Sequence, residues 1–313
     1  MKVYNALTAL IRAAFWGSDP SDALGNLSEG EWAELLRQAQ RQAVVGVAYD
    51  GLARCSSNVK LPMALYAEWT SKVLEQENGS RRVHAVIAKQ NETWAKHGLS
   101  PYILKGTVCA DYYPQPLHRQ LGDIDWCFSP KEWEKGLEIV RSNGLDIKLD
   151  SDGDISYTLA GVVVEHHRKG LPARNDAGLI CFLTDHIFHH FSTSGIGLRQ
   201  LCDLALVLDR TEVDRTELFS LLKKEGLERF YGLVVAFLKA DLGLNVAVEG
   251  VPEKDVDRFR DIVRRDGNFG LDKSLRFSGM LPKARICFKY AFFAFFQRWT
   301  ELFVGRIRRF QLQ

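Results

Sequence analysis

The spacing of apolar residues changes twice along this chain, and that double change constrains the fold more than any single motif. Up to about residue 98 the pattern is helical. Ser28-x-x-Glu31 has the form of a capping box, and Trp32, Leu35, Leu36 and Ala39 follow it on one helical face. A second helical stretch is expected over about 62–97, with Leu65, Trp69 and Val73 four residues apart and Gly79 as the point of a kink or break. At Gly98 the period shortens. Tyr102-Ile103-Leu104 reads as a strand, and Lys105-Gly106-Thr107 as a turn into a short helix that Pro114 ends. A second strand is expected within 121–128. Ser129-Pro130-x-Glu132 then opens a helix with Trp133, Leu137 and Val140 facing inward, and Asn143-Gly144 stops it. Two further strands, about 155–159 and 162–167, meet at a tight Ala160-Gly161 turn. From about Asp176 helical stripes return: Leu201, Leu204, Ala205 and Leu208; Leu218, Leu221 and Leu222; Leu233, Val234, Phe237 and Leu238. The pattern predicts an α+β protein, with a compact unit at 99–175 between helical regions at 1–98 and 176–313.

Composition agrees with a folded chain. Of 313 residues, 46% are hydrophobic and 26% charged, ordinary for a soluble globular protein and outside the collagen-like and disordered classes. The 41 Lys and Arg against 39 Asp and Glu give a net charge of +2, which argues against a globally basic nucleic-acid binder. The cysteines, Cys55, Cys109, Cys127, Cys181, Cys202 and Cys287, have neither disulfide-framework nor zinc-ribbon spacing. They read as reduced thiols, so a cytoplasmic location is expected. The start of the chain lacks the pattern of a signal peptide. No run reaches the ~18 apolar residues of a membrane span, and the nearest, 286–305, contains Lys289, Arg298 and Glu301.

The chemistry concentrates in the middle segment. In Gly122-Asp123-Ile124-Asp125 the strand period of two puts Asp123 and Asp125 on one face. Two adjacent carboxylates repel unless a cation lies between them, and hard divalent ions such as Mg²⁺ prefer oxygen ligands. A third carboxylate on a neighbouring strand, Glu165 in Val163-Val164-Glu165-His166-His167, would complete a site for two ions suited to in-line displacement at phosphorus. Asp152 and Asp154 compete for that third place. Upstream, Gly106 lets backbone N–H groups approach a phosphate at a helix start, with Thr107 adding a hydroxyl and Lys105 a charge. Arg119 is a candidate triphosphate clamp, or else an ordinary structural arginine.

This ordered set resembles the polymerase-beta-like nucleotidyltransferase superfamily, and more closely the bacterial "uncharacterised nucleotidyltransferase" family. The carrying motifs are Leu104-Lys105-Gly106, Tyr113-Pro114, Arg119, Gly122-Asp123-Ile124-Asp125, and Glu165 with His167. Further landmarks are Leu198-Arg199-Gln200-Leu201-Cys202-Asp203 and Gly267-Asn268-Phe269-Gly270. The resemblance spans roughly residues 30–290. It implies a nucleotidyltransferase fold, a small mixed β-sheet backed by helices. It also implies an NTP substrate, two Mg²⁺ ions with Mn²⁺ as a substitute, and NMP transfer to an acceptor hydroxyl or amine. By the resemblance, Asp123 and Asp125 bind metal, while Glu165 binds metal and helps deprotonate the acceptor. Gly106-Thr107 departs from the usual Gly-Ser or Gly-Gly, although threonine keeps the hydroxyl. Trp126 is bulkier than the usual aliphatic but points to the opposite face.

The acceptor is not legible: a small molecule, a protein and an RNA all remain open. His167 shares a strand face with Glu165, so it either bonds a ligating carboxylate, contacts substrate or simply packs. Arg199 and Asp203, spaced i and i+4, form either a helix ion pair or an arginine oriented toward a cleft. His186 and His190 have zinc-like spacing without a convincing further ligand. Residues 282–313 hold seven bases, one acid and interleaved aromatics. They read as a last core helix with a basic end, or as a contact for RNA or an anionic membrane. Two rival functions stand beside transfer: a non-catalytic nucleotide-binding scaffold, and a toxin- or defence-type enzyme modifying tRNA or protein.

Overall fold

The computed structural model describes residues 1–56, 59–149, 153–268 and 280–296, and the chain divides into two compact units. One is continuous, Thr70–Leu171. The other joins Met1–Trp69 to Pro172–Gln313.

The continuous unit holds the sheet. Its strands are β1 (Tyr102–Ile103), β2 (Asp123–Cys127), β3 (Lys148–Leu149), β4 (Ile155–Leu159) and β5 (Val162–His167), in the order β1-β2-β5-β4-β3. β2 and β5 run parallel, and the other neighbours are antiparallel. Alternation sorts the side chains. Ile124 and Trp126 of β2, Ile155 and Tyr157 of β4, and Val162 and Val164 of β5 enter one core. That core also takes Val83, Val86 and Trp94 of a long helix, Met63–Lys96, and Trp133, Leu137 and Val140 of a shorter one, Trp133–Ser142. The second face of β2 and β5 is thereby left for polar residues. β4 and β5 are joined by Ala160 (φ 50°) and Gly161 (φ 78°), the paired positive angles of a type I′ hairpin. This turn sets the register between them.

The discontinuous unit is helical and begins with α1 (Lys2–Trp16), α2 (Ser21–Leu24), α3 (Glu29–Arg41) and α4 (Val45–Leu52). The boundary between the units falls within α5, the long helix just described. In the continuous unit α6 is Thr107–Ala110, and α7 is Trp133–Ser142. The discontinuous unit resumes with α8 (Asp176–Thr193), α9 (Leu198–Arg210), α10 (Arg215–Lys224), α11 (Glu228–Leu242), α12 (Glu253–Asp266) and α13 (Met280–Tyr290). Its two sequence segments are tied by long-range bonds. Arg12 donates to the Asp241 carbonyl at 3.1 Å, Gln42 donates to that of Val263 at 3.1 Å, and the Leu198 amide donates to Gln42 Oε1 at 2.9 Å.

Several local expectations need refinement. The capping box at Ser28 and Glu31 is present. α5 runs through Gly79 without a break. The short helix α6 has one turn and ends before Pro114, while residues 116–118 form a 3-10 turn. α7 starts at Trp133, later than the Ser129 cap predicted. The Glu132 carboxylate instead closes a turn, accepting from Ser129 and from the Ser100 amide. β3 is exposed and was not predicted, since two residues leave no period to read. All six cysteines are free thiols. Among the described residues no helix is long and apolar enough to cross a membrane. Asp152, Phe269, Gly270 and the tail residues Arg298, Trp299, Glu301, Arg306, Arg308 and Arg309 lie outside the described residues. Two tail bases inside them are paired, Lys283 with Asp266 and Lys289 with Asp255.

Candidate functional site

The parallel pairing of β2 with β5 assembles an acidic cluster on the polar face of the sheet. The register sets Asp125 opposite Glu165 and Cys127 opposite His167, with Asp123 one step along the same face. Asp125 is 1% exposed, whereas the Asp123 and Glu165 side chains each keep 37% of their surface. β1 adds a cation. The Leu104 amide extends the strand ladder by donating to the Asp125 carbonyl at 3.0 Å. The next residue, Lys105, sends its ammonium 2.5 Å from Asp125 Oδ2 and 3.4 Å from Asp123 Oδ2.

The second oxygen of Asp125 is held by His167, whose Nε2 lies 3.0 Å from Oδ1 and 3.5 Å from Glu165 Oε2. The other ring nitrogen, Nδ1, is 2.8 Å from Asp154 Oδ2, and Asp154 Oδ1 accepts from the Arg168 amide at 2.9 Å. Burial opposes charge on this imidazole, but its three carboxylate contacts outweigh burial and raise its pKa to about 11. Burial likewise opposes the Asp125 carboxylate and the Lys105 ammonium. Their mutual attraction wins, taking Asp125 below and Lys105 above their ordinary values. Within this set the four carboxylates, Asp123, Asp125, Asp154 and Glu165, outnumber the two cations, Lys105 and His167.

Beneath the sheet lies a buried polar chain that no sequence motif announced. Trp126 Nε1 donates to Gln90 Oε1 at 2.9 Å, Gln90 Nε2 donates to the Tyr157 hydroxyl at 2.8 Å, and that hydroxyl lies 2.9 Å from His166 Nε2. With its oxygen accepting from Gln90, Tyr157 donates to His166 and so requires a neutral ring. Burial agrees, lowering the His166 pKa to about 3. These bonds tie α5 to β2, β4 and β5 below the acidic face. Gln90 and Tyr157 lie 67 residues apart, so no local pattern in the sequence links them.

The remaining predicted residues are placed as follows. Gly106 has φ 76° and ψ −105°, a conformation that favours glycine, and precedes Thr107 at the start of α6. Arg119 is buried, and its guanidinium donates to the Gln120 carbonyl at 3.3 Å. Its loop is fastened to α5 by Gln76, which donates to the Leu117 carbonyl, and by Glu77, which meets His118. Arg199 and Asp203 are both buried on α9, in the discontinuous unit.

Asp125, Glu165 and His167 each offer a ligand atom within 4.8 Å of the other two, the one such group among the described residues. Two carboxylates and an imidazole that gives up its Nε2 proton suit a divalent cation, with the nitrogen donor favouring Mn²⁺ more than an all-oxygen set would. The residues therefore fit a metal. This compact group contains Asp125 and Glu165 of the expected trio together with His167, while Asp123 lies 3.4 Å from Lys105 on the same face.

A helix-backed mixed sheet with adjacent acidic strands defines a nucleotidyltransferase fold. The chain belongs to the family described as "uncharacterised nucleotidyltransferase", which matches residues 28–179 and 170–243. Neither the curated proteins nor the solved structures compared with it give a match.

Proposed function

We propose that the protein is a Mg²⁺-dependent nucleotidyltransferase that moves an NMP from an NTP to an acceptor hydroxyl or amine. The observation that carries this reading is the direct opposition of Asp125 and Glu165 on parallel strands, with Asp123 on the same face. Family membership supports the reaction class. Asp125 and Glu165, with Asp123 or His167, would hold the metal, which supplies charge neutralisation for phosphoryl chemistry. Glu165 keeps an open side from which its carboxylate can take the acceptor proton. Gly106 and Thr107 would offer amides and a hydroxyl to the phosphates, since the first N–H groups of a helix have no partner within it. Lys105 and Arg119 would add positive charge. The catalytic apparatus is assigned to 99–175, and the six free thiols suit a reducing cytoplasm.

The test is incubation with each α-labelled NTP, Mg²⁺ and a host lysate. A labelled acceptor with release of pyrophosphate is expected, and its absence under every NTP would overturn the reading. One observation favours the scaffold alternative. Lys105 already offsets one of the two charges of the Asp123–Asp125 pair, which lessens the need for a metal there. Nucleotide binding by calorimetry without any pyrophosphate release would select that alternative.

A further inference from the structure

We infer that Lys105 is a displaceable counter-ion which the acidic pair surrenders to a divalent cation, so that metal and the NTP phosphate chain bind cooperatively. This rests on the transferase reading just given. Both oxygens of Asp125 are engaged, Oδ2 by Lys105 and Oδ1 by His167. Metal ligation by this buried carboxylate therefore sets the metal in competition with one of the two cations.

The two are held very differently. His167 is pinned from its far side by Asp154, and Asp154 is itself fixed by the Arg168 amide. Lys105 is held by the tip of a four-carbon arm, and among the described residues its ammonium contacts only the carboxylates that a metal would take. Its backbone follows a strand that ends at Ile103 and precedes a glycine with φ 76°. The arm can thus swing from the acidic pair while the strand pairing stays intact.

The cooperativity follows from charge. The excess of carboxylates attracts a divalent ion, but that ion and the ammonium compete for Asp123 and Asp125. Metal entering alone leaves Lys105 without its carboxylate partners. Metal entering with a polyphosphate gives the released ammonium a new anionic partner. By linkage each ligand then tightens the other, and typical couplings of this kind are about 5–150-fold.

The experiment is calorimetric titration of Mn²⁺, alone and with an NTP present, into the wild-type chain, Lys105→Met, Lys105→Arg and Asp125→Asn, with thermal melts confirming each fold. A parallel wild-type measurement follows acylation of Lys105 by mass spectrometry, without Mn²⁺, with Mn²⁺, and with Mn²⁺ plus each NTP. Lys105→Met should bind Mn²⁺ about tenfold more tightly than wild type. Lys105→Arg should stay near wild type, because the charge is retained. Acylation of Lys105 should rise with Mn²⁺ and fall again when an NTP is added. Equal Mn²⁺ affinity in wild type and Lys105→Met, with Asp125→Asn losing it, would overturn the displacement while leaving the transferase reading standing. Undetectable Mn²⁺ binding in all four chains, with or without NTP, would overturn both.

Discussion

His166 and His167 are neighbours in sequence with opposite chemistry, because a strand turns adjacent side chains to opposite faces. His167 lies among Asp125, Asp154 and Glu165, while His166 is enclosed by Trp94, Phe128 and Tyr157. Their pKa values move apart, to about 11 and about 3. For His167 the folded value is raised, so its stabilisation is complete below the unfolded value of about 6.5 and is lost as pH climbs toward 11. For His166 the folded value is depressed, so stability falls as pH drops below about 6.5. Urea denaturation of the metal-free protein across pH reads both effects. His167→Gln should cost more at about pH 6 than at about pH 10, and His166→Gln should blunt the acid loss. A cost for His167→Gln that is flat with pH would contradict the ion-pair description. Strand alternation made the shared face of Asp123, Asp125, Glu165 and His167 legible. The roles of Asp154 and Lys105 were not, because period says which face a residue takes but not which strand lies beside it.

At the scale of elements the site depends on two turns. The Ala160-Gly161 hairpin sets the register between β4 and β5, and both its position and both strands were readable from alternation and one glycine. The Gly106 corner between β1 and α6 aims Lys105 and Thr107. A Cβ at Gly106 would approach the Asp123 carbonyl oxygen only to 3.8 Å, so the obstacle to a side chain there is backbone strain rather than a clash. Gly106→Ala should cost about 1–3 kcal/mol in denaturant unfolding. The same melt unchanged would show that the corner tolerates another conformation. The helix after this corner is a single turn, short as the sequence suggested, so it adds little dipole of its own. What the motif did locate is the strand end and the glycine.

At the scale of the molecule, the helical stripes of both flanking regions were legible, but their union into one compact unit was not. That union rests on contacts such as Trp16 with the Leu242 carbonyl and Gln42 with Leu198, separated by 226 and 156 residues. Close packing within it is clearest at Gly51, where a Cβ would fall 2.1 Å from the Leu10 carbonyl oxygen of α1. Gly51→Ala should therefore destabilise by about 1–3 kcal/mol or more, read as a lower thermal midpoint by circular dichroism. An unchanged midpoint would mean that α1 and α4 separate at little cost. The net charge of +2 conceals a division, because residues 282–313 carry +6 and the preceding 281 carry −4. Lys283 and Lys289 are already committed to Asp266 and Asp255, which lowers the charge that part of the tail offers a polyanion.

The acidic cluster as a catalytic centre is tested most directly by Asp125→Asn, nearly isosteric at a buried position, assayed with α-labelled NTP, Mg²⁺ and the labelled acceptor fraction. Transfer and pyrophosphate release should fall by about a hundredfold or more, as for removal of one preorganised charge from an active site, with the folded structure retained by circular dichroism. Transfer at the wild-type rate in a folded Asp125→Asn protein would contradict the assignment.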